Sequence, residues 1–294
     1  MKLSISKAAS WNLCEFRFYL ERIQKWKETT KKPWLHYGSS IDELLAILDE
    51  KGLEAALNKI PDFFTDPYDQ VDAGYILTQW MRQFMHEQLP PIVLDGQPGN
   101  QYQLNTDLGE DVELYGFIDK VNMQDKQIAF TERKTTSSAI NPTSVYWNKL
   151  DLDPQITGYS HGLSEGRFNP ISICNYEVIR KPSKTLSVMF DRDKATSLED
   201  YKERVFSLLT KPPKQTMIAR RKVYITSDRR EWWLSDHMHT ARRIRLAEVE
   251  FKTYGERAYR RNTNSCDAFG GCPFRKYCSG KCDLNRIEGI KQGE

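Results

Sequence analysis

Apolar residues recur at helical spacing from Ser4 to about Ile23, where Trp11, Phe16, Tyr19, Leu20 and Ile23 form a broad stripe that includes Cys14. Ser6 is the candidate N-cap of that helix. Two further amphipathic helices are predicted at about 35–58 and 68–89, separated by a Pro/Asp-rich turn around Pro61 to Pro67. Three prolines and two glycines between Pro90 and Asn100 end the helical region.

The period then shortens. Val112 to Ile118 and Ile128 to Glu132 alternate as half-buried strands do, and Gln124-Asp125-Lys126-Gln127 between them reads as a hairpin turn. A short helix is expected at 154–164 and strands at 171–179 and 186–190. Helices at about 197–209 and 235–257 precede a cysteine-rich end. Helices, hairpin, helix, strands and helices in this order predict one α/β domain with a helical insertion. No repeat or low-complexity tract interrupts it.

Composition bounds the class without changing this picture. At 294 residues, with 39% hydrophobic and 28% charged residues, the chain is long enough for a substantial core and is neither collagenous nor wholly disordered. No apolar run of about 18 residues occurs and the first residues lack a secretory apolar stretch, so no membrane span and a cytoplasmic location are expected. The net charge of +3 conceals an asymmetry: residues 211–261 carry a local +8 and the remainder −5. Arg220, Arg221, Arg242, Arg243 and Arg245 lie in that stretch with Trp232, Trp233, Tyr254 and Tyr259 among them, a composition suited either to a solvated helix face or to nucleic-acid phosphates and bases.

Two clusters carry candidate chemistry. On a strand, Ile128, Phe130, Glu132 and Lys134 share one face, and Tyr115, Phe117 and Asp119 share one on the partner strand, so each apolar row ends in charge. Such groups must pair, reach solvent or bind an ion. An Asp and a Glu from adjacent strands are the oxygen donors Mg²⁺ or Mn²⁺ prefers, with Lys134 about 6.8 Å along the strand from Glu132. A plain salt-bridge network is the competing reading. The second cluster is Cys266, Cys272, Cys278 and Cys282, whose spacing could hold a structural Zn²⁺ or an iron–sulfur cluster. Cys174, in an expected strand, reads as core.

Gly116-Phe-Ile-Asp119, Glu132-Arg-Lys134 and Gln155-x-x-x-Tyr159 together resemble the PD-(D/E)XK nucleases of the RecB type. The opening Ser4-x-Ser-Lys with Cys14-Glu-Phe-Arg17-Phe-Tyr and the closing Cys272-Pro-Phe-Arg-Lys-Tyr-Cys278 resemble that family's terminal motifs. The resemblance implies an α/β restriction-endonuclease-like core with a mixed central sheet at 105–190, a helical insertion at 35–100, and a basic helix with a cysteine-rich, cluster-bearing tail at 211–294. It implies a metal-dependent deoxyribonuclease, an exonuclease on single-stranded or frayed DNA ends. Asp119, Glu132, Lys134, Gln155 and Tyr159 would be catalytic, and Mg²⁺ or Mn²⁺ would be held by Asp42, Asp119, Glu132 and the main-chain carbonyl of Arg133. The AddB-type and CRISPR-adaptation-type branches imply a [4Fe–4S] cluster on Cys14, Cys266, Cys272 and Cys278. Two departures stand out. Gly38-Ser-Ser-Ile-Asp42 has Asp42 where the family has a metal-binding His, with His36 as a nearby substitute, and five residues separate Cys266 from Cys272 where two are usual. The alternatives are a nuclease-fold DNA-binding subunit with a weakened site, and a zinc-ribbon nucleic-acid binder. Oligomeric state and protein partners are not legible.

Overall fold

The computed structural model describes residues 1–29, 33–87 and 89–293. In chain order the elements are α1 (Ile5–Leu13), α2 (Glu15–Phe18), β1 (Trp26–Glu28), α3 (Pro33–Lys51), α4 (Leu53–Phe63), α5 (Pro67–Phe84), β2 (Asn100–Asp107), β3 (Glu113–Gln124), β4 (Gln127–Thr136), α6 (Pro154–Ser164), β5 (Ile173–Arg180), α7 (Leu198–Ser207), β6 (Ile218–Tyr224), α8 (Ser227–Tyr254), α9 (Arg275–Cys278) and β7 (Ile290–Gln292). The fold is mixed α/β. A five-stranded sheet in the order β2-β3-β4-β5-β6 has antiparallel β3/β4 and β5/β6 pairs and a parallel β4/β5 pair.

The chain divides into two compact units. One comprises residues 34–104 and 117–226. Its core joins Ile41, Leu44, Leu45 and Leu48 of α3 to Tyr75, Ile76 and Trp80 of α5, Tyr201 and Val205 of α7, and Ile179 and Ile218 of the sheet. The other comprises residues 1–33, 105–116 and 227–294. There Met238, Ala241, Ile244 and Ala247, one turn apart along α8, pack with Trp11, Phe16, Tyr19, Tyr259 and Phe274. In the same unit β1 pairs antiparallel with β7, Trp26 opposite Gln292.

Local chemistry explains where the elements differ from the expected ones. The N-terminal helix is capped by Ser4, whose hydroxyl accepts from Lys7 N, and not by Ser6. It breaks at Cys14, which is extended at φ −166°, ψ 113°, before α2 and a π turn over Tyr19–Ile23. Gly52 at φ 84° separates α3 from α4, and α4 runs on into the expected turn, through Pro61 to Phe63. Helix α5 starts at Pro67 with the Asp66 side chain accepting from Tyr68 N. The β3–β4 connection is Asp125-Lys126, both at positive φ (50° and 63°), as a two-residue primed hairpin turn requires. Residues 186–190 form no strand: Ser187 caps a short 3₁₀ turn, Val188–Phe190, that seats Phe190 against Tyr75. Strands β2 and β6 were not expected, the first because it follows the Pro/Gly stretch directly, the second because its row of Arg and Lys masks the alternation.

Candidate active site

Asp119 stands on β3 and Glu132 and Lys134 on β4, inside the unit of residues 34–104 and 117–226. The Asp119 Oδ2 accepts the main-chain N–H of Arg133 at 2.6 Å, which locks the hairpin at the point where the acids meet. Glu132 is 1% exposed and its Oε1 is paired with the Lys134 ammonium. Asp42, on α3, accepts from Gln101 Nε2 at 3.4 Å. Helix α3 comes this close to β4 because residue 38 is glycine: a Cβ there would lie 2.7 Å from Thr135 Oγ1. On α6, Gln155 Nε2 donates to Tyr159 Oη at 3.2 Å, and Asp153 caps the helix by accepting from the N–H groups of Gln155 and Ile156.

These groups share one electrostatic field. Burial, then the Asp119 charge, raises Asp42 to about 7. Burial likewise raises Asp119, against the pull of Lys134 and the Arg133 N–H, and raises Glu132 well above the carboxylate range, with Asp119 adding to it. Lys134 is lowered by burial, but Glu132 and Asp119 outweigh this and hold it charged. Tyr159 is raised by burial and by Glu132. Two carboxylate oxygens, Glu132 Oε2 and Asp42 Oδ1, are buried without a hydrogen-bond partner. Buried acids pushed toward protonation by one another, with acceptor oxygens left unmet, fit a divalent cation, which would favour their charged forms. Among the described residues, no three His, Cys, Asp or Glu side chains are already drawn together as a cation cage. His36 is exposed, its Nδ1 3.5 Å from Ser40 Oγ and its ring edge-on to Phe64.

The sequence did not reveal what lies behind the site. The Arg133 side chain is buried, with Nε 3.1 Å from Glu177 Oε2 and Nη2 on Asp49. Lys120, fully buried, bonds Asp49 at 3.1 Å. Arg220 joins Glu177 through Nε (2.9 Å) and Nη2 (2.6 Å) while its guanidinium stacks 3.9 Å from the Phe84 ring centre. Burial opposes ionisation of Glu177, but Arg133, Lys120 and Arg220 together hold it down at about 2. Arg133 is therefore a structural cation inside the E-x-K strand. Asp153 is a further acid in the field of Glu132 and Lys134, and its only sequence signal was the Asp-Pro start of a helix. Gln101, at φ 48°, carried no signal at all.

The five arginines expected to meet DNA are all engaged within the chain. Arg220 faces the interior as above. Arg221 donates to the Pro142 carbonyl and lies 4.1 Å over Trp147. In the other unit Arg242 pairs with Glu110, Arg243 with Glu15 (2.8 Å), and Arg245 donates to the Asp111 carbonyl at 3.0 Å.

Within that other unit Cys14, Cys266, Cys272 and Cys278 line one cavity of about 320 Å³, together with Arg17, Arg261 and Arg275. Cys282 is not on its wall. The extended break at Cys14 aims its sulfur at this loop region, where it accepts from Asn262 N at 3.4 Å. The Cys272 N–H bonds the Cys266 carbonyl at 2.8 Å, and burial raises the thiol of Cys272 and brings that of Cys278 to about 11. None of the six cysteines is in a disulfide, and Cys174 is buried in β5.

A nuclease-like carboxylate–lysine hairpin backed by a Gln/Tyr helix thus stands on a mixed sheet. The chain belongs to the PD-(D/E)XK nuclease superfamily, whose family model matches residues 2–279. It is similar to a solved structure from Eubacterium rectale named "Putative exonuclease", at 13% identity and a TM-score of 0.53, over 96% of this chain and 89% of that one. At that identity the likeness concerns the fold. No curated protein matched the sequence. Among the described residues, no helix is long and apolar enough to cross a membrane.

Proposed function

We propose that the protein is a metal-dependent deoxyribonuclease, an exonuclease acting on single-stranded or frayed DNA ends. The observation that carries this reading is the group of Asp42, Asp119, Glu132 and Lys134, with an unmet oxygen on Glu132 and another on Asp42. These three acids and the Arg133 carbonyl would hold one or two Mg²⁺ or Mn²⁺. Such ions, when bound, polarise the phosphate and lower the pKa of the attacking water. Lys134, held charged beside Glu132, orients that water and offsets the charge growing on the phosphate. The Gln155–Tyr159 pair, joined by its own hydrogen bond, positions Lys134 and the strand. Asp42 in place of a histidine adds a hard oxygen donor, which favours Mg²⁺ or Mn²⁺ over softer ions.

DNA as the substrate is what the nuclease family resemblance implies, and the positive excess of residues 211–261 supports it only apart from the five arginines engaged within the chain; exonuclease action rests on the fold shared with the Eubacterium rectale protein and that protein's name. A [4Fe–4S] cluster on Cys14, Cys266, Cys272 and Cys278 is supported by the cavity these four line, with arginines beside it suited to an anionic group. Zinc on the four tail cysteines is less favoured, because Cys14 and not Cys282 faces that cavity.

The test is degradation of linear single-stranded DNA with Mn²⁺ by wild type and Lys134→Ala. Loss of end-dependent degradation in the variant is expected. Equal rates in both, or none in either, refute the catalytic reading, and cleavage of circular single strands at the same rate refutes exonuclease action.

A further inference from the structure

Side chains alternate along β4, so Glu132 and Lys134 face one side of the sheet and Thr131 and Arg133 the other. On that second side the unit opens a cavity of about 740 Å³, within the range of small-molecule sites (about 300–1,000 Å³). Asn175 of β5, aligned with Thr131 on one neighbour and Lys222 on the other, lines it. The residue is 1% exposed, and neither its side-chain Oδ1 nor its Nδ2 has a hydrogen-bond partner. A buried carboxamide with both its donor and its acceptor unmet bears the full desolvation penalty of each, which a ligand with a matching edge would offset.

The surroundings define that ligand. A carboxamide offers a donor and an acceptor side by side in one plane, the complement of a nucleobase edge, and Asn pairs in this bidentate way with adenine. Phe84, with the Arg220 guanidinium stacked on it, supplies a flat wall of the same cavity. Arg220 is already neutralised by Glu177. Lys222 is different: cross-strand from Asn175 and on its face, it is partly exposed and pairs with Asp125, 63% exposed, at 2.7 Å, while Glu87 acts on it more weakly. A surface pair of this kind is weak and exchanges readily for a stronger anion.

We propose that this cavity binds a nucleoside monophosphate, with adenine preferred, the base edge on the Asn175 carboxamide and the phosphate drawing Lys222 from Asp125. The site lies on the sheet face opposite Glu132 and Lys134, so it is a second site and not an extension of the first. Nucleoside monophosphates are the product class of the exonuclease reaction proposed above, which makes this a place where the enzyme would sense its own product. The binding itself does not depend on that reading.

The experiment is calorimetric titration of the full-length protein with deoxyadenosine 5′-monophosphate and with deoxyadenosine, in EDTA so that the metal-dependent site is silent. Saturable monophosphate binding is expected in wild type, weakened about tenfold or more in Asn175→Ala by loss of the bidentate pair. Lys222→Ala, at the surface, is expected to weaken the monophosphate and leave the nucleoside unchanged, and it tests the site even if Asn175→Ala folds poorly. No saturable binding in wild type would mean that only water fills the cavity and overturns the proposal, as would affinities unchanged in both variants. Binding in EDTA by a protein with no nuclease activity would uphold this site while the proposed reaction failed.

Discussion

Replacing Glu177 by Gln removes one negative charge from the centre of a buried network and changes little else in shape. The carboxylate is fully buried and accepts from Arg133 Nε (3.1 Å), Arg220 Nε (2.9 Å) and Arg220 Nη2 (2.6 Å). Against its burial, the surrounding Arg133, Lys120 and Arg220 charges hold its pKa down from the ordinary 4.5 to about 2, which corresponds to about 3 kcal/mol of stability at neutral pH. The variant also leaves Arg133 and Arg220 under-compensated in the interior, which places the expected loss at about 3–5 kcal/mol. Because the folded pKa is depressed, this stability is present in full above pH 4.5 and is lost as pH falls from there toward 2. Urea unfolding of wild type and Glu177→Gln at pH 7, 4 and 3 reads the difference. It is expected to be largest at pH 7 and to shrink below pH 4.5. A loss under about 1 kcal/mol at pH 7, or a difference that does not narrow in acid, would refute the reasoning. Activity should fall too, since the N–H that holds Asp119 belongs to Arg133.

Asp42, raised to about 7, is protonated below that pH, so protons compete with the cation and the apparent Mn²⁺ affinity should weaken as pH falls through 7. Titration calorimetry at pH 6 and 8 should show this in wild type and a flatter dependence in Asp42→Asn. Gly38→Ala places a methyl against Thr135 Oγ1, so by urea unfolding it should cost about 1–2 kcal/mol more in the wild-type background than in Thr135→Ala. Anaerobically purified protein should contain iron and absorb broadly in the visible, and both should be lost in Cys14→Ser and kept in Cys282→Ser. Zinc in place of iron, or the reverse pattern of loss, would refute that ligand set.

The helices and the hairpin were legible because each carries its own local signal: the Asp153 cap before Pro154, the Asp125-Lys126 turn, the 3.6-residue stripes. The carboxylate–lysine group was legible because its residue types and spacing travel with the hairpin. The network behind it was not. From the sequence Arg133 has a role only through its main-chain carbonyl, and only the approach of Asp49 from α3 and of Glu177 and Arg220 from β5 and β6 shows that its side chain points inward. The same long-range pairing turns Arg220, read from charge alone as a DNA contact, into a core residue. Gln101 and Asn175 have no local signal, since their significance depends on what faces them across the sheet and helices.

Strand β4 has a neighbour on each side, antiparallel β3 and parallel β5, and lies at the middle of the five-stranded sheet. At Phe130 and Thr131, where both neighbours pair with it, its amide hydrogens can meet solvent only when the sheet itself opens, so these should be among the slowest to exchange with deuterium. Glu132, whose carboxyl is raised by burial and by Asp119, therefore follows directly on the segment least able to fray. Heat or denaturant should abolish activity together with global unfolding and not through earlier loosening of the site.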